Sequence, residues 1–225
     1  LFESSQFGII SAFVCFQGIV ILTSQNVFIT SGSSILPWLL TLSALISSFL
    51  AIIQTEGRKS LAYLIASQLA LLSFSHITNS EIMNIGSFYM TLSLIGASCS
   101  FILMVGAVEI RRGDLSLVQP NGSYDSFPKL AFLLLIFGLA SSGLPLSIGY
   151  LAEDLILEGS FAKSPAIDII WLTSIAINAI LIVKFFLFLC QGKSLKQDGM
   201  DVSRPQFLLA SVVIISIFLS AVLMN

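Results

Sequence analysis

The sequence predicts an all-α fold: a transmembrane bundle of about seven helices, one of which is broken. Apolar residues make up 56% of the 225 residues, and the mean hydropathy is +0.99. Only 10% of the residues are charged, whereas a soluble domain carries about 25%. The apolar residues form continuous runs without the alternation that is typical of barrel strands. We therefore expect an integral membrane protein built from helices.

A helix needs about 20 apolar residues to cross the hydrocarbon core of a bilayer. Seven runs approach this length, although the third is short and the fifth is long and interrupted. In chain order they are Phe7–Leu22, Ile35–Ile53, Leu61–Phe74, Ile82–Val108, Pro128–Leu157, Ile167–Leu189 and Phe207–Met224. Gly, Pro, Asn and Ser residues occur in the links, as expected of loops. Residues 1–225 are thus predicted to form a single transmembrane domain.

The basic residues test this count independently. With seven crossings, the links after spans two, four and six share one side of the membrane with the N-terminus. That side holds Arg58, Lys59, Arg111, Arg112, Lys129, Lys193, Lys196 and Arg204. The opposite side holds only Lys163, and Lys184 lies inside the sixth span. Since basic residues gather on the cytoplasmic side, we expect an inner (plasma or organelle) membrane protein with a cytoplasmic N-terminus and the C-terminus on the opposite side.

Composition also excludes several classes of function. A net charge of −2 leaves no basic stripe for nucleic acid. The cysteines Cys15, Cys99 and Cys190 have no paired spacing, and the single histidine, His76, excludes a multi-histidine metal site. We see no nucleophile–base pair and no phosphate or dinucleotide motif. We therefore predict no catalytic residue, no metal and no cofactor on this chain.

The fifth span contains the features that point to chemistry. Gly143 and Pro145 interrupt its apolar helix, and Gly149 precedes a helical segment that carries Glu153 and Asp154. Broken helices inside a membrane are tolerated where they line a cavity, and their free ends bind ions. Two interpretations stay open: the span ends near the glycine and both acids are solvated, or Glu153 is a proton-titrating residue inside the membrane. Adjacent helical residues point about 100° apart, so the two acids do not share one task.

Lys184 also admits two interpretations, because its ammonium either snorkels to the cytoplasmic interface or pairs with a buried acid along a polar path. The charged turn with Glu56 and Lys59 is either a plain cytoplasmic loop or lies below the membrane surface. Ser67 and Gln68 would then extend a polar path or bond neighbouring helices. Helix-joining hydrogen bonds are the expectation for four further polar residues: Gln17, Ser98, Ser100 and Asn178.

Residues 56–69, Glu-Gly-Arg-Lys-Ser-Leu-Ala-Tyr-Leu-Ile-Ala-Ser-Gln-Leu, resemble the signature Asp-x-Lys-Arg-x-Leu-Ala-Tyr-Ser-x-x-Ser-Gln-x-Gly of antiporter-like subunits. These subunits occur in respiratory complex I, in membrane-bound hydrogenases and in multi-subunit sodium/proton antiporters. The family continues with Pro, a long apolar helix, and Gly-x-Pro-x-x-x-Gly-Phe before an acid or Lys. Here Pro128, then Gly-Leu-Pro-Leu-Ser-Ile-Gly-Tyr at 143–150, and then Glu153 follow in that order. Lys184 matches the basic residue of the next helix.

The resemblance covers nearly the whole chain and implies the C-terminal half of a subunit with about fourteen spans in two inverted repeats. The chain is therefore expected to be one segment of a longer protein. The resemblance further implies proton or cation translocation, with other membrane subunits and the lipid bilayer as partners. Glu153 takes the place of the key Lys or Glu on the broken helix. The predicted proton path comprises Glu153, Lys184, Lys59, Asp154, Ser67 and Gln68.

The sequence also departs from the family pattern. The family's His-x-x-x-His-x-x-x-Lys helix corresponds to the fourth span, which has Tyr89, Thr91, Ser93 and Ser98 and no ionisable residue. The histidine expected on the first span is absent as well. Either water and hydroxyl groups carry the protons, or the chain is a non-transporting scaffold subunit. A membrane subunit of an inorganic-carbon uptake complex, which shares this fold, is a further alternative.

Overall fold

A computed structural model describes residues 35–77, 80–113, 115–120, 122–161, 164–192 and 201–223. The predicted span Phe7–Leu22 lies outside these residues, as does Gln17. The described chain is all-α, which confirms the predicted fold class. Its helices are α1 (Ile35–Ile53), α2 (Gly57–Ile77), α3 (Glu81–Ser93), α4 (Cys99–Arg112), α5 (Ser123–Ser126), α6 (Pro128–Ser141), α7 (Ile148–Phe161), α8 (Pro165–Cys190) and α9 (Arg204–Leu223).

The helix boundaries agree with the predicted spans, with two refinements. A π-helical turn, Leu94–Ser98, joins α3 to α4, so the fourth span is one rod over Glu81–Arg112. The third span is longer than predicted, because the basic residues before Leu61 already belong to the first turn of α2. Among the described residues, three helices are long and apolar enough to cross a membrane by themselves: α1, the rod α3–α4, and α8.

The loops rich in basic residues meet at one end of the bundle, which we call the basic end. The backbone N–H of Gly57 donates to the Leu115 carbonyl over 2.8 Å, and the Gly122 N–H donates to Gln191 over 2.7 Å. The Asp201 carboxylate accepts from the first backbone N–H groups of α6, at Lys129 and Leu130. These contacts tie the three loops together, as the predicted topology requires.

Helix packing separates the bundle into two apolar clusters. In one, α4 packs against α6, and Phe101 of α4 meets Phe185 of α8 edge to face. In the other, α3 packs along α7, where Met83 and Ile156 are fully buried. Large apolar side chains on α1 and α9 remain exposed. A bilayer or a neighbouring membrane subunit would cover these faces.

Candidate functional site at the broken helix

The chain breaks between α6 and α7 where the sequence predicts it. Gly143 adopts a left-handed conformation with φ of +75°, and the Leu144 N–H donates back to the Leu139 carbonyl over 3.0 Å. This six-to-one bond is the usual ending of a helix at a glycine. Pro145 then lies in the connecting segment, and the Ser147 hydroxyl accepts from the Tyr150 N–H at the start of α7. The break is therefore a hydrogen-bonded loop, whose Gly143 is partly buried and whose Pro145 and Leu146 are exposed.

Glu153 lies in the second turn of α7 and folds back toward the break. A side-chain carbon added to Gly143 would collide with both oxygens of the Glu153 carboxyl group. Within the described part of the chain, this carboxyl group accepts no hydrogen bond and forms no ion pair. Glycine at position 143 thus serves twice, because it permits the left-handed turn and leaves room for the acid.

A cavity of about 20 Å³ opens beside Glu153, which is enough for one water molecule. Its polar wall includes Gln68 of α2, Ser93 of α3 and Asn178 of α8. The Gln68 amide donates to the Ser141 carbonyl over 3.4 Å, and the Oδ1 of Asn178 is buried without a partner. The walls of this cavity therefore offer a water molecule both the amide group of Asn178 and the carboxyl group of Glu153.

A chain of hydrogen bonds leads from this cavity into the neighbouring helices. We call Ser48, Ser67 and Asn178 the serine–asparagine cluster. The Nδ2 of Asn178 donates to the Ser67 hydroxyl over 3.0 Å, and that hydroxyl lies 2.7 Å from the Ser48 hydroxyl. Ser48 donates to the Ala44 carbonyl over 2.9 Å, so Ser67 donates to Ser48, since each hydroxyl has one proton. All three side chains are buried.

The helix-joining expectation is thus confirmed for Asn178 but fails for Ser98 and Ser100. The Ser100 hydroxyl donates within its own helix, to the Gly96 carbonyl over 2.6 Å. The Ser98 hydroxyl is buried with no partner among the described residues. Serine readily bonds to the preceding turn of its own helix, and the sequence does not show which serines do so.

Lys184 has partners that the sequence did not suggest. Its ammonium group donates to the carbonyl oxygens of Ile52 and Gln54 over 2.6 Å and 3.0 Å. These carbonyls lie at the C-terminal end of α1, where helical carbonyls lack partners and the helix dipole favours a cation. Lys184 therefore caps α1, and the described residues give it no acidic partner.

Two other predicted residues lie apart from the cavity. Lys59 is on the surface of the basic end, where its ammonium lies 2.9 Å from the Glu56 carboxylate and the two side chains are 60% and 64% exposed. Asp154, next to Glu153 in sequence, is exposed on a different face of α7. The structure thus places Gln68 and Glu153 on one cavity, joins Ser67 to that cavity through Asn178, and leaves Lys59 and Asp154 outside this group.

The sequence analysis missed one buried acid, Asp168 of α8, which is 1% exposed. It lies inside the predicted span Ile167–Leu189, so its position in an apolar run is the signal that could have found it. The fourth span contributes only Met90, Ser93 and Leu94 to the cavity wall, consistent with the absence of ionisable residues from its interior.

Comparisons with known proteins extend this description. Residues 7–198 match the protein family described as NADH:quinone oxidoreductase/Mrp antiporter, TM. The chain is 26% identical to NADH-quinone oxidoreductase subunit 13 of Thermus thermophilus, over 75% of this chain and 35% of that protein. It is 27% identical to NADH-ubiquinone oxidoreductase chain 4 of Wickerhamomyces canadensis, over 76% and 35%. The chain thus spans about a third of the length of these relatives.

Solved structures share the fold. Respiratory complex I from Thermus thermophilus contains a chain that superposes with a TM-score of 0.76 at 24% identity, covering 85% of this chain and 41% of that one. A chain of an archaeal membrane-bound sulfane sulfur reductase gives a TM-score of 0.74 at 20% identity, covering 84% and 32%. A chain of the Mrp complex from Dietzia gives 0.66 at 18% identity, covering 71% and 30%. The chain is therefore a multi-pass membrane protein that belongs to the NADH:quinone oxidoreductase/Mrp antiporter transmembrane family.

Proposed function

We propose that this chain is part of a proton-translocating membrane subunit, and that Glu153 binds and releases the proton. The observation that carries the proposal is the place of its carboxyl group, against Gly143 in the helix break and on the wall of the cavity, with no hydrogen-bond partner among the described residues. An ionisable residue inside a membrane protein is rare and usually functional. A structural acid would have a donor or a cation beside it.

The path to Glu153 starts, in this proposal, at the basic end. Lys59 attracts and exchanges protons at the surface, and Lys184 lies deeper, at the end of α1. The serine–asparagine cluster and Gln68 lead from there to the cavity. Asn178 and Lys184 are six residues apart on α8, about 9 Å along the helix axis, so water would have to complete the path between them.

Lys184 acts on this path through charge. It is a positioning residue in our proposal, because its contacts among the described residues are the Ile52 and Gln54 carbonyls and not an acid. Its positive charge lies on the same helix as Asn178 and favours the ionised form of carboxyl groups within its range. Asp154 would serve as an exposed acid near the break, outside the direct path.

We further propose that other membrane subunits surround this chain and that the basic end faces the cytoplasm. The relatives that it matches are named as subunits or occur in complexes, and the basic residues gather at one end. Single cysteines replacing Lys129 and Glu81, in a background without the native cysteines, test the orientation. A membrane-impermeant thiol reagent applied to right-side-out membranes should label the Glu81→Cys variant only, and labelling of Lys129→Cys alone would reverse the orientation.

The test of function compares two neighbouring acids in the full-length protein within its native membrane complex. Proton uptake into inverted vesicles is followed with a pH-sensitive dye, and native gels measure assembly. Glu153→Gln should lower the coupled flux by about 100-fold or more, the contribution typical of a residue that gives and takes protons. Asp154→Asn should keep most of the flux, because that acid is exposed.

A flux close to wild type in the assembled Glu153→Gln complex would contradict the proposal. It would favour the scaffold function, which the absence of ionisable residues from the interior of the rod α3–α4 supports. Assembly with a bicarbonate-handling partner and no coupled proton flux would instead favour the inorganic-carbon alternative.

A further inference from the structure

Besides the partly buried Glu153, a carboxyl group lies fully buried at the end of the bundle opposite the basic end. Asp168 lies in the first turn of α8 and is 1% exposed. Its Oδ1 accepts a hydrogen bond of 2.6 Å from the Ser160 hydroxyl of α7, and this is the shortest contact of that hydroxyl, whose other near acceptor is the Ile156 carbonyl at 2.8 Å. Its Oδ2 is buried and has no partner among the described residues, and the same holds for the indole nitrogen of Trp171, one turn further along α8. Buried polar groups without a hydrogen-bond partner require an explanation.

Helix capping does not explain this acid. An Asp in the first turn usually accepts hydrogen bonds from free backbone N–H groups or interacts favourably with the helix dipole. Here the N–H groups of Ile167 and Asp168 donate to the Ser164 carbonyl over 3.0 Å and 3.4 Å. The one donor to the Asp168 carboxylate in the described chain is the Ser160 hydroxyl, which belongs to another helix. The carboxylate therefore faces α7 and not its own helix end.

The helix that holds Ser160 is the helix that carries Glu153. Seven residues separate them, which is two turns or about 10 Å along α7 and returns to the same face. Between them on the buried face lies Ile156, which is fully buried in the apolar cluster with Met83 and Trp171. A dry layer thus separates the cavity at Glu153 from the carboxyl group at Asp168.

We infer that Asp168 is a second proton-binding site, through which protons pass between Glu153 and the side of the membrane opposite the basic end. Ser160 is its positioning residue, since its hydroxyl fixes one carboxylate oxygen and leaves the other free. In each cycle the protonated Glu153 gives its proton, across transient water in the apolar layer, to the Asp168 carboxylate. Asp168 then gives that proton to water at the opposite end and is again a carboxylate. Glu153 takes its next proton from the path that starts at the basic end, so each carboxyl group returns to its starting state.

The other ionisable side chains at this end do not replace Asp168 in that role. In the part of the chain that the structure describes they are His76 on α2, Glu81 on α3 and Glu158 on α7, and Lys163, which the sequence assigns to this side, lies outside that part. Glu81 and Glu158 are exposed, while the Nε2 of His76 is buried without a partner. None of the three forms an ion pair or hydrogen bond with Asp168 in the described chain. Glu158 is therefore a matched control, because it is an exposed acid on the same helix as Ser160.

The inference rests on the proposed function, and its test uses the same complex in native membranes. Asp168→Asn should lower the coupled proton flux by roughly tenfold or more with normal assembly on native gels, whereas Glu158→Gln should leave the flux unchanged. Infrared difference spectra of the purified complex between two pH values should lose one carboxyl band in Asp168→Asn. Ser160→Ala keeps the carboxyl group, so it should shift that band and slow the flux less.

Wild-type flux in the assembled Asp168→Asn complex would overturn the inference, whether or not a carboxyl band is lost. If Asp168→Asn does not assemble, Ser160→Ala decides, because an unshifted band and normal flux in that variant would overturn it as well. Failure of the proposed function is recognised separately. Normal flux in Glu153→Gln refutes that function, whereas loss of flux in Glu153→Gln with normal flux in Asp168→Asn refutes only the second site.

Discussion

Ionisable side chains have different surroundings at the basic end and inside the bundle. At the basic end, Arg58 lies 2.6 Å from Glu109, and Lys59 lies 2.9 Å from Glu56. Inside the bundle, Glu153 has no partner in the described chain, and Asp168 has a partner for one oxygen only. Three of the four groups at the basic end are more than half exposed, and Glu109 is 12% exposed. Asp168 is 1% exposed and Glu153 is partly buried, yet these two acids have carboxyl oxygens without a partner.

This difference between the paired and the unpaired groups indicates which residues to test for a function. An exposed ion pair contributes about 0–1 kcal/mol, so pairing at the surface says little about purpose. A buried acid without a partner is unfavourable in any structural role. Such a group is therefore a candidate for a change of charge or partner during function, as proposed above for Glu153 and Asp168. The following substitutions, from the largest expected effect to the smallest, test this contrast.

Gly143→Ala should have the largest effect, because it displaces the carboxyl group of Glu153 and strains the left-handed turn. The matched control is Gly113→Ala, which has a similar φ of +78° but no atom within 4 Å of an added side-chain carbon. Both variants should lose roughly 1 kcal/mol or more of stability from the backbone strain. Only Gly143→Ala should also lose coupled proton flux. Equal flux in both variants would show that the place of the Glu153 carboxyl group is unimportant.

Lys184→Met should have the next largest effect, on the end of α1. Two carbonyl oxygens lose their donor, at a cost of about 1–3 kcal/mol. Hydrogen exchange measured by mass spectrometry should show faster exchange over the last turn of α1, residues 50–53. Lys184→Arg keeps the donors and the charge, and should preserve most of the protection. Unchanged exchange in Lys184→Met would mean that these two bonds do not hold the end of α1.

Asn178→Ala should have a moderate effect on flux, because it removes the donor to Ser67. Loss of one hydrogen bond of about 1 kcal/mol corresponds to roughly a fivefold slower flux. Thr173→Ala on the same helix is the control, since its hydroxyl is exposed and donates only to the Ile169 carbonyl. Equal rates in the two variants would remove the serine–asparagine cluster from the proposed path.

Lys59→Gln should have the smallest effect. The pair with Glu56 is more than half exposed, so thermal stability of the purified complex should change by less than about 1 kcal/mol. If Lys59 exchanges protons at the surface, the rate of proton uptake should still fall measurably. A wild-type rate would remove Lys59 from the path and leave it as an ordinary surface residue.

The sequence predicts the parts of this structure that depend on local chemistry. The break follows from Gly143 and Pro145, because a left-handed glycine and a missing N–H group end a helix wherever they occur. The spans follow from continuous apolar runs. Glu153 is recognised because an acid follows the break within ten residues.

The rest depends on contacts between distant residues. The cap on α1 joins Lys184 to carbonyl groups about 130 residues earlier, and a sequence pattern contains no information about free carbonyls. The Ser67–Asn178 hydrogen bond likewise spans 111 residues. The burial of Asp168 is not predicted, because a charged residue near the start of a span resembles a residue at the membrane surface. Only the packing of α7 on α8 shows that it is buried.

The π-helical turn at Leu94–Ser98 lets one rod present different faces to the two half-helices, with α3 against α7 and α4 against α6. A π-helical turn contains one more residue than the α-helical turn that would otherwise stand at its position. Comparisons of sequences must therefore treat the turn as a one-residue insertion. A relative without it should show its apolar pattern displaced by one position from Cys99 onward. An alignment that allows no gap here would compare residues that face different helices.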